Sequence, residues 1–439
     1  MDSVEKGNVG EQFVNELAYN SFMKYWCYPN PKDENGDKKE ICDLMIFFRD
    51  CLIIISVKNY VFKDFYSRYF RNTIEKAVDQ ISGAERKLMF SEREIYIKHP
   101  NKDIERFPRE EIRKVFRIIV NLGDGVKFYP SNKETQKGQF VTIFDKGAFE
   151  TIVKELDTLP DFIDYLTKRE ELFSDKTVLI LPGEEHDFSK ETTEQFLEHT
   201  ETNLIIPNKQ SIVISGTEYD ILAYYLEDRE SFLEKVRSSN DNLIYLQIDD
   251  KWNSYISKEE VKIKKQNDRY SYFIDDLVKN EVLVHNNLQA AELAKELLSF
   301  NRFTRRIIAK NFLQFYETYK NDTCDDKEFP FYRRYSDFEG IGIVFVYYAT
   351  RGEDVDWLFE FTLNSYCVYS NYKNKKNILI ATNQFFQFKM LLQSDIIPFP
   401  YEFEQQIRDD IKLCNWFTTI DKFYMHETEY PENKKEKDS

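Results

Sequence analysis

Apolar side chains recur along residues 4–23 at Val9, Phe13, Val14, Leu17 and Ala18, close to a 3.6-residue period, which predicts an amphipathic helix. Residues 29–40 (PNPKDENGDKKE) are polar, punctuated by Pro and Gly, and read as a loop. Residues 41–48 then read as a strand, Asp50 as a turn residue and 52–58 as a second strand. The second is apolar on both faces, as a central strand of a sheet is. Residues 65–90 predict a long helix, broken or weakened at Gly83, whose stripe is Ile74, Ala77, Val78, Ile81, Ala84 and Leu88. Strands at 115–122 and 140–144 and helices at 147–156 and 160–172 follow. This order predicts an α/β fold, a mixed sheet flanked by helices.

Downstream, strands are expected at 177–181, 203–206, 211–214, 243–248 and 340–349, and helices at 217–237, 286–299, 301–319 and 401–414. Residues 354–370 fit either helix or strand. This is a larger mixed α+β region. Without a repeat or a Gly/Ser linker to mark a joint, the boundary falls softly near 172. The expected organisation is 1–172, 173–430 and a disordered tail 431–439.

The 439 residues exceed one ordinary core, and few Gly (13) or Pro (12) interrupt the elements. No stretch approaches the roughly 18 apolar residues that span a bilayer, and residues 1–6 hold no apolar signal core. A cytoplasmic protein without membrane contact is expected. The six cysteines form no C-x-x-C pair and the five histidines are scattered, which disfavours zinc or histidine-based hydrolysis. The net charge of −16 disfavours a protein that coats nucleic acid nonspecifically. The charge is uneven, however. Residues 1–172 hold 28 basic and 30 acidic residues, leaving 33 and 47 downstream, so a local basic groove fits the first third. Residues 60–72 interleave aromatics with Lys63, Arg68 and Arg71, which suits phosphate contact and stacking, or equally a helix start with snorkelling bases. No P-loop, GxGxxG, HExxH or nucleophile elbow is present.

Chemistry concentrates at Glu40-Ile41-Cys42-Asp43 and Ser56-Val57-Lys58. Asp43 falls within one apolar strand and Lys58 ends the next; Ser56 and Lys58 share a side because strand side chains alternate. In a hairpin, Asp43 and Lys58 meet at one end. Charges on buried strands are costly unless paired or bound to metal. Hard oxygen ligands suit Mg²⁺, and a lysine can orient water and offset transition-state charge.

On these residues the sequence resembles the PD-(D/E)xK nuclease superfamily, the fold of many restriction endonucleases. The resemblance covers residues 4–90. Asp43 matches its first acid, Lys58 its lysine and Glu11 its upstream glutamate. Ser56 stands where the second acid is expected. In a Ser-x-Lys subgroup the following helix supplies that acid; here it offers Glu75, preferred, or Asp79. The resemblance implies Mg²⁺ (or Mn²⁺) at Asp43, Glu75 and Val57, Lys58 orienting the attacking water, and Glu11 supporting a second metal or its waters. It also implies a nuclease domain at the N-terminus, with DNA as the expected substrate and bacterial restriction or antiphage defence as the setting. The C-terminal region would supply recognition, regulation, or a surface for a protein partner or second copy.

Bland readings stand beside these. Asp43 and Lys58 form a structural ion pair; Glu11 is a solvated helix residue; Glu75, Lys76, Asp79 and Arg86 form a charged helix face. Glu85, near the middle of the apolar stripe, reads as a buried ion pair or interdomain contact, and Gln80 as a possible DNA contact. The rival function is a degenerate nuclease-fold subunit that docks a partner protein through its C-terminal region.

Overall fold

The computed structural model describes residues 3–60, 66–123, 132–181, 210–229, 234, 239, 241–324, 329–352 and 354–431. The fold is α/β, built from helices and mixed sheets. The chain divides into two compact units, Met1–Lys258 and Glu259–Ser439.

The first unit opens with α1 (Ser3–Asn20) and β1 (Cys27–Pro29), then β2 (Leu44–Phe48) and β3 (Cys51–Lys58). β2 and β3 form the expected antiparallel hairpin, with Leu44 opposite Ile55 and Phe48 opposite Cys51. Arg49 takes a left-handed backbone (φ 55°) in its tight turn. The strand starts at Leu44, so Asp43 stands just before it in a bend rather than within it. A helical run follows as α2 (Tyr66–Phe70), a π-helical turn (Arg71–Glu75) and α3 (Lys76–Phe90). The irregularity is therefore at 71–75, and the helix passes unbroken through Gly83. Thr73 lies in that turn with its hydroxyl donating to the Tyr69 carbonyl at 2.9 Å, a bond that competes with the regular ladder.

The unit continues with β4 (Tyr96–Lys98), β5 (Ile104–Arg106), β6 (Lys114–Asn121), β7 (Asn132–Glu134), β8 (Phe140–Asp145), α4 (Lys146–Glu155) and α5 (Leu159–Phe173). The main sheet has the order β1-β2-β3-β6-β8-β7, with β3, β6 and β8 parallel. On one face Ile74, Ala77, Ile81 and Leu88 pack on Met45, Leu52, Ile54 and Ile119. On the other, Phe149 meets Phe13 and Phe144, at ring-centroid distances of 6.1 and 5.9 Å. The apolar run of β3 follows from this double cover: Leu52 to Ile55 are at most 1% exposed, each contributing about 1.5–3 kcal/mol.

A smaller parallel sheet, order β11-β10-β9, completes the unit. It comprises β9 (Thr177–Leu181), β10 (Ser211–Ser215) and β11 (Leu243–Gln247), with α6 (Glu218–Glu227) between the last two and α7 (Lys251–Ser257) after them. α6 ends well short of the expected residue 237, and the expected strand at 203–206 lies outside the described residues. The unit runs through residue 172 because α5 is tied to α6. Buried Arg169 grips Glu218 through Nε at 2.7 Å and Nη2 at 3.1 Å, and the Tyr225 hydroxyl donates to Asp164 at 2.6 Å.

The second unit holds α8 (Glu259–Asp268), α9 (Tyr272–Leu277), α10 (Leu288–Leu297), α11 (Arg302–Tyr319), β12 (Phe331–Phe338), β13 (Ile341–Tyr348), α12 (Asp356–Tyr369), β14 (Lys376–Thr382), β15 (Phe388–Gln393) and α13 (Tyr401–Leu413). Residues 354–370 thus resolve mainly as helix. Its sheet has the order β12-β13-β14-β15, with β13 and β14 parallel. α11 covers one face through Phe312, 5.5 Å from Phe345, and α12 the other through Phe359 and Leu363. The expected tail lies outside the described residues from 432 onward.

Candidate active site

The carboxyl end of β3 is where the sequence concentrates its chemistry. The β2 ladder stops at Leu44, so the amide of Val57 has no backbone partner on that strand. Asp43 takes it: Val57 N–H donates to Asp43 Oδ2 at 2.6 Å. The Ser56 hydroxyl lies 3.1 Å from the same oxygen and 3.3 Å from Gln80 Oε1, so its one proton is shared between two acceptors. Lys58 Nζ is 4.0 Å from Asp43 Oδ2 and donates to Gln80 Oε1. Asp43 Oδ1 accepts no hydrogen bond among the described residues, and the Asp43 side chain is 30% exposed against 15% for Lys58. A fixed carboxylate with one free oxygen therefore faces a partly desolvated ammonium.

The surrounding charges act on this pair. Burial lowers the Lys58 pKa, Lys76 pushes it the same way, and Asp43 and Glu40 oppose. Glu40 is raised, chiefly by burial and then by the charge of Asp43, with Glu11 adding in the same direction and Lys32 and Lys58 opposing. Glu11 itself is exposed on α1. The structure thus gathers Asp43, Ser56, Val57 and Lys58, with Glu40 and Glu11 within electrostatic reach.

Glu75 is placed differently. It sits exposed at the end of the π turn and makes no hydrogen bond or ion pair among the described residues. Asp79 lines a separate cleft with Ser82 and Arg86. The α3 residue that does reach Ser56 and Lys58 is Gln80. Lys63, in the aromatic–basic stretch, lies outside the described residues. Glu85 is a buried ion pair within the unit: Arg117 holds it through Nε at 2.6 Å and Nη2 at 2.5 Å, and Gln139 donates to it at 3.0 Å.

Of two further residues at the site, the sequence left Glu40 without a role and read Gln80 only as a possible DNA contact. Glu40 was visible as the residue opening the Glu40–Asp43 segment, and its signal was proximity to Asp43. Gln80 had a weaker signal, its i+4 spacing from Lys76 along one helix face. No group of three or more His, Cys, Asp and Glu side chains that could hold a metal ion occurs among the described residues. The hard donors on hand are Asp43 Oδ1 and the Val57 carbonyl, which also accepts from Lys58 Nζ at 3.4 Å, while the Gln80 amide oxygen is taken up by Ser56 and Lys58. That set fits Mg²⁺, which is commonly held by one or two carboxylates and keeps waters or phosphate oxygens elsewhere. Comparison with protein-family models, with curated proteins and with solved structures finds no match to this chain.

Proposed function

We propose that the first unit is a Mg²⁺- or Mn²⁺-dependent nuclease of the PD-(D/E)xK type that hydrolyses phosphodiester bonds, with DNA as substrate. The observation that carries this reading is the pairing of Asp43, anchored by Val57 N–H, with Lys58 at 4.0 Å on a hairpin end. Asp43 Oδ1 and the Val57 carbonyl would hold the metal, with Glu40 in place of Glu75 as the nearby second carboxylate. The bound ion would polarise the phosphate and lower the pKa of a water. Lys58 would orient that water and offset charge developing on the phosphate. Gln80 would hold the Lys58 ammonium in place while sharing the Ser56 proton. A role in restriction or antiphage defence fits such an activity.

The test is Mg²⁺-dependent cleavage of plasmid and single-stranded DNA by the full chain. Asp43→Ala and Lys58→Ala should each abolish it, and cleavage at comparable rates in either would overturn the assignment. A second reading is favoured by Ser56 and by the absence of a three-acid group among the described residues. In it the unit is a degenerate nuclease fold and the second unit docks a protein partner. DNA binding without cleavage in any divalent ion, unchanged by Asp43→Ala, would select it.

A further inference from the structure

We propose that the cleft between α3 and the β7–β8 turn is a second nucleic-acid contact, in which Arg86 and Lys137 clamp a backbone phosphate and Phe90 stacks a base. This rests on the nuclease reading of the same unit. The cleft has a volume of about 250 Å³. α3 supplies one wall through Asp79, Ser82, Arg86 and Phe90, which recur at helical spacing on one strip, and the turn supplies the other through Thr135 and Lys137.

Three observations point to an anionic ligand. Arg86 and Lys137 are exposed cations on opposite walls, and neither has an ion-pair partner among the described residues. The buried acid lining the cleft, Glu85, is already neutralised by the two-pronged grip of Arg117 and by Gln139. Asp79 is then the one lining carboxylate without a cation, against two free positive groups. Phe90 is 66% exposed at the rim, and Lys137 Nζ lies over its ring at 5.5 Å.

The chemistry follows from these groups. A guanidinium fork and an ammonium facing each other match the tetrahedral oxygens of a phosphodiester. An exposed ring flanked by a cation is a stacking platform for an unpaired base, tolerant of sequence because every base has a π-face. Such contacts set position on the strand and carry no sequence readout. The residues lie one helix strip away from Gln80, so a strand engaged here is held independently of the reacting bond.

The experiment measures binding apart from cleavage. Fluorescein-labelled single-stranded DNA and its duplex are titrated with the full chain in EDTA, by anisotropy, over a salt series. Arg86→Ala/Lys137→Ala should weaken both forms roughly tenfold and reduce the single-strand slope of log affinity against log salt by about 0.7, one phosphate's worth. Phe90→Ala should weaken the single strand about fivefold or more and spare the duplex. Thermal melts confirm that the variants fold. If the parent binds DNA and the double variant matches it in affinity and slope, the clamp is wrong while the nuclease reading stands. Equal loss on single strand and duplex in Phe90→Ala overturns the stacking role. If the parent neither binds nor cleaves DNA, the nuclease reading falls and this inference with it.

Discussion

Glu85→Ala should destabilise the first unit by about 3–5 kcal/mol, the cost of breaking a buried ion pair by removing one partner. The structure sets the size of the effect. The Glu85 and Arg117 side chains are only 6% and 8% exposed, so the guanidinium loses its carboxylate in a largely desolvated place. Two charge-assisted bonds and the Gln139 amide bond disappear together. Arg117 cannot deprotonate and is left charged, with the Val115 carbonyl at 3.1 Å as its remaining hydrogen-bond partner among the described residues and Glu170 only within electrostatic reach. At about 2–4 °C per kcal/mol for a unit of this size, the melting transition should fall by roughly 10 °C. The double variant Glu85→Leu/Arg117→Met removes both charges and should recover most of that loss, because apolar replacement of a buried pair is often neutral or stabilising. The assay is a thermal and urea melt of the parent, Glu85→Ala, the single variants Glu85→Leu and Arg117→Met, and the double variant. A Glu85→Ala melt within about 1 kcal/mol of the parent would refute the reasoning, as would a double variant no better than the worse single one.

Further outcomes follow from other groups. Lys58→Met should lower kcat by about 10²–10⁴ in the DNA cleavage assay, the range of a lost proton-transfer or charge-stabilising group. His99 is buried, and burial with the charge of Lys102 lowers its pKa to about 4. The unfolded chain therefore binds the extra proton first as pH falls. Stability is lost between about pH 6.5 and 4, up to about 3 kcal/mol. Urea midpoints at the two ends of that window should differ in the parent and much less in His99→Gln. Gly123→Ala places a Cβ 2.1 Å from the Tyr60 carbonyl oxygen, two residues beyond Lys58. Because the Lys58 carbonyl also accepts from Leu122 N–H at 2.7 Å, this overpacking should cost about 1–3 kcal/mol and reduce cleavage, read by melt and by initial rate.

The hairpin and its central strand were legible because the run from Leu52 to Ile55 admits no solvent-facing side. The stripe from Ile74 to Leu88 gave α3 for the same reason. The angular phase of the site on that helix was not legible. Ile74 is buried where the stripe puts it, π turn included, but which polar residue beside the stripe meets β3, Glu75, Asp79 or Gln80, is set by packing across the sheet and not by period. Gln80 was seen, but a polar side chain on a helix face carries no periodic mark of whether it meets a strand or solvent. The extent of the first unit depends on Arg169 finding Glu218, a pairing 49 residues apart that no local pattern records. β12, FYRRYSDF, mixes aromatic and charged residues without alternation, and it passed unread.

The Asp43–Val57 bond gives the β2–β3 turn an influence far beyond its own surroundings. A side chain stands where a backbone carbonyl would have closed the ladder, so the acid's position is a matter of strand register. The Arg49-Asp50 turn lies about 20 Å away at the strand rise of roughly 3.3 Å per residue. Adding or deleting one residue there would slide Asp43 past Val57 and turn alternate side chains to the wrong face. Length at that distant corner is thus under the same constraint as the identity of the acid itself, and a single-residue insertion there should inactivate the site while leaving every one of its side chains in the sequence.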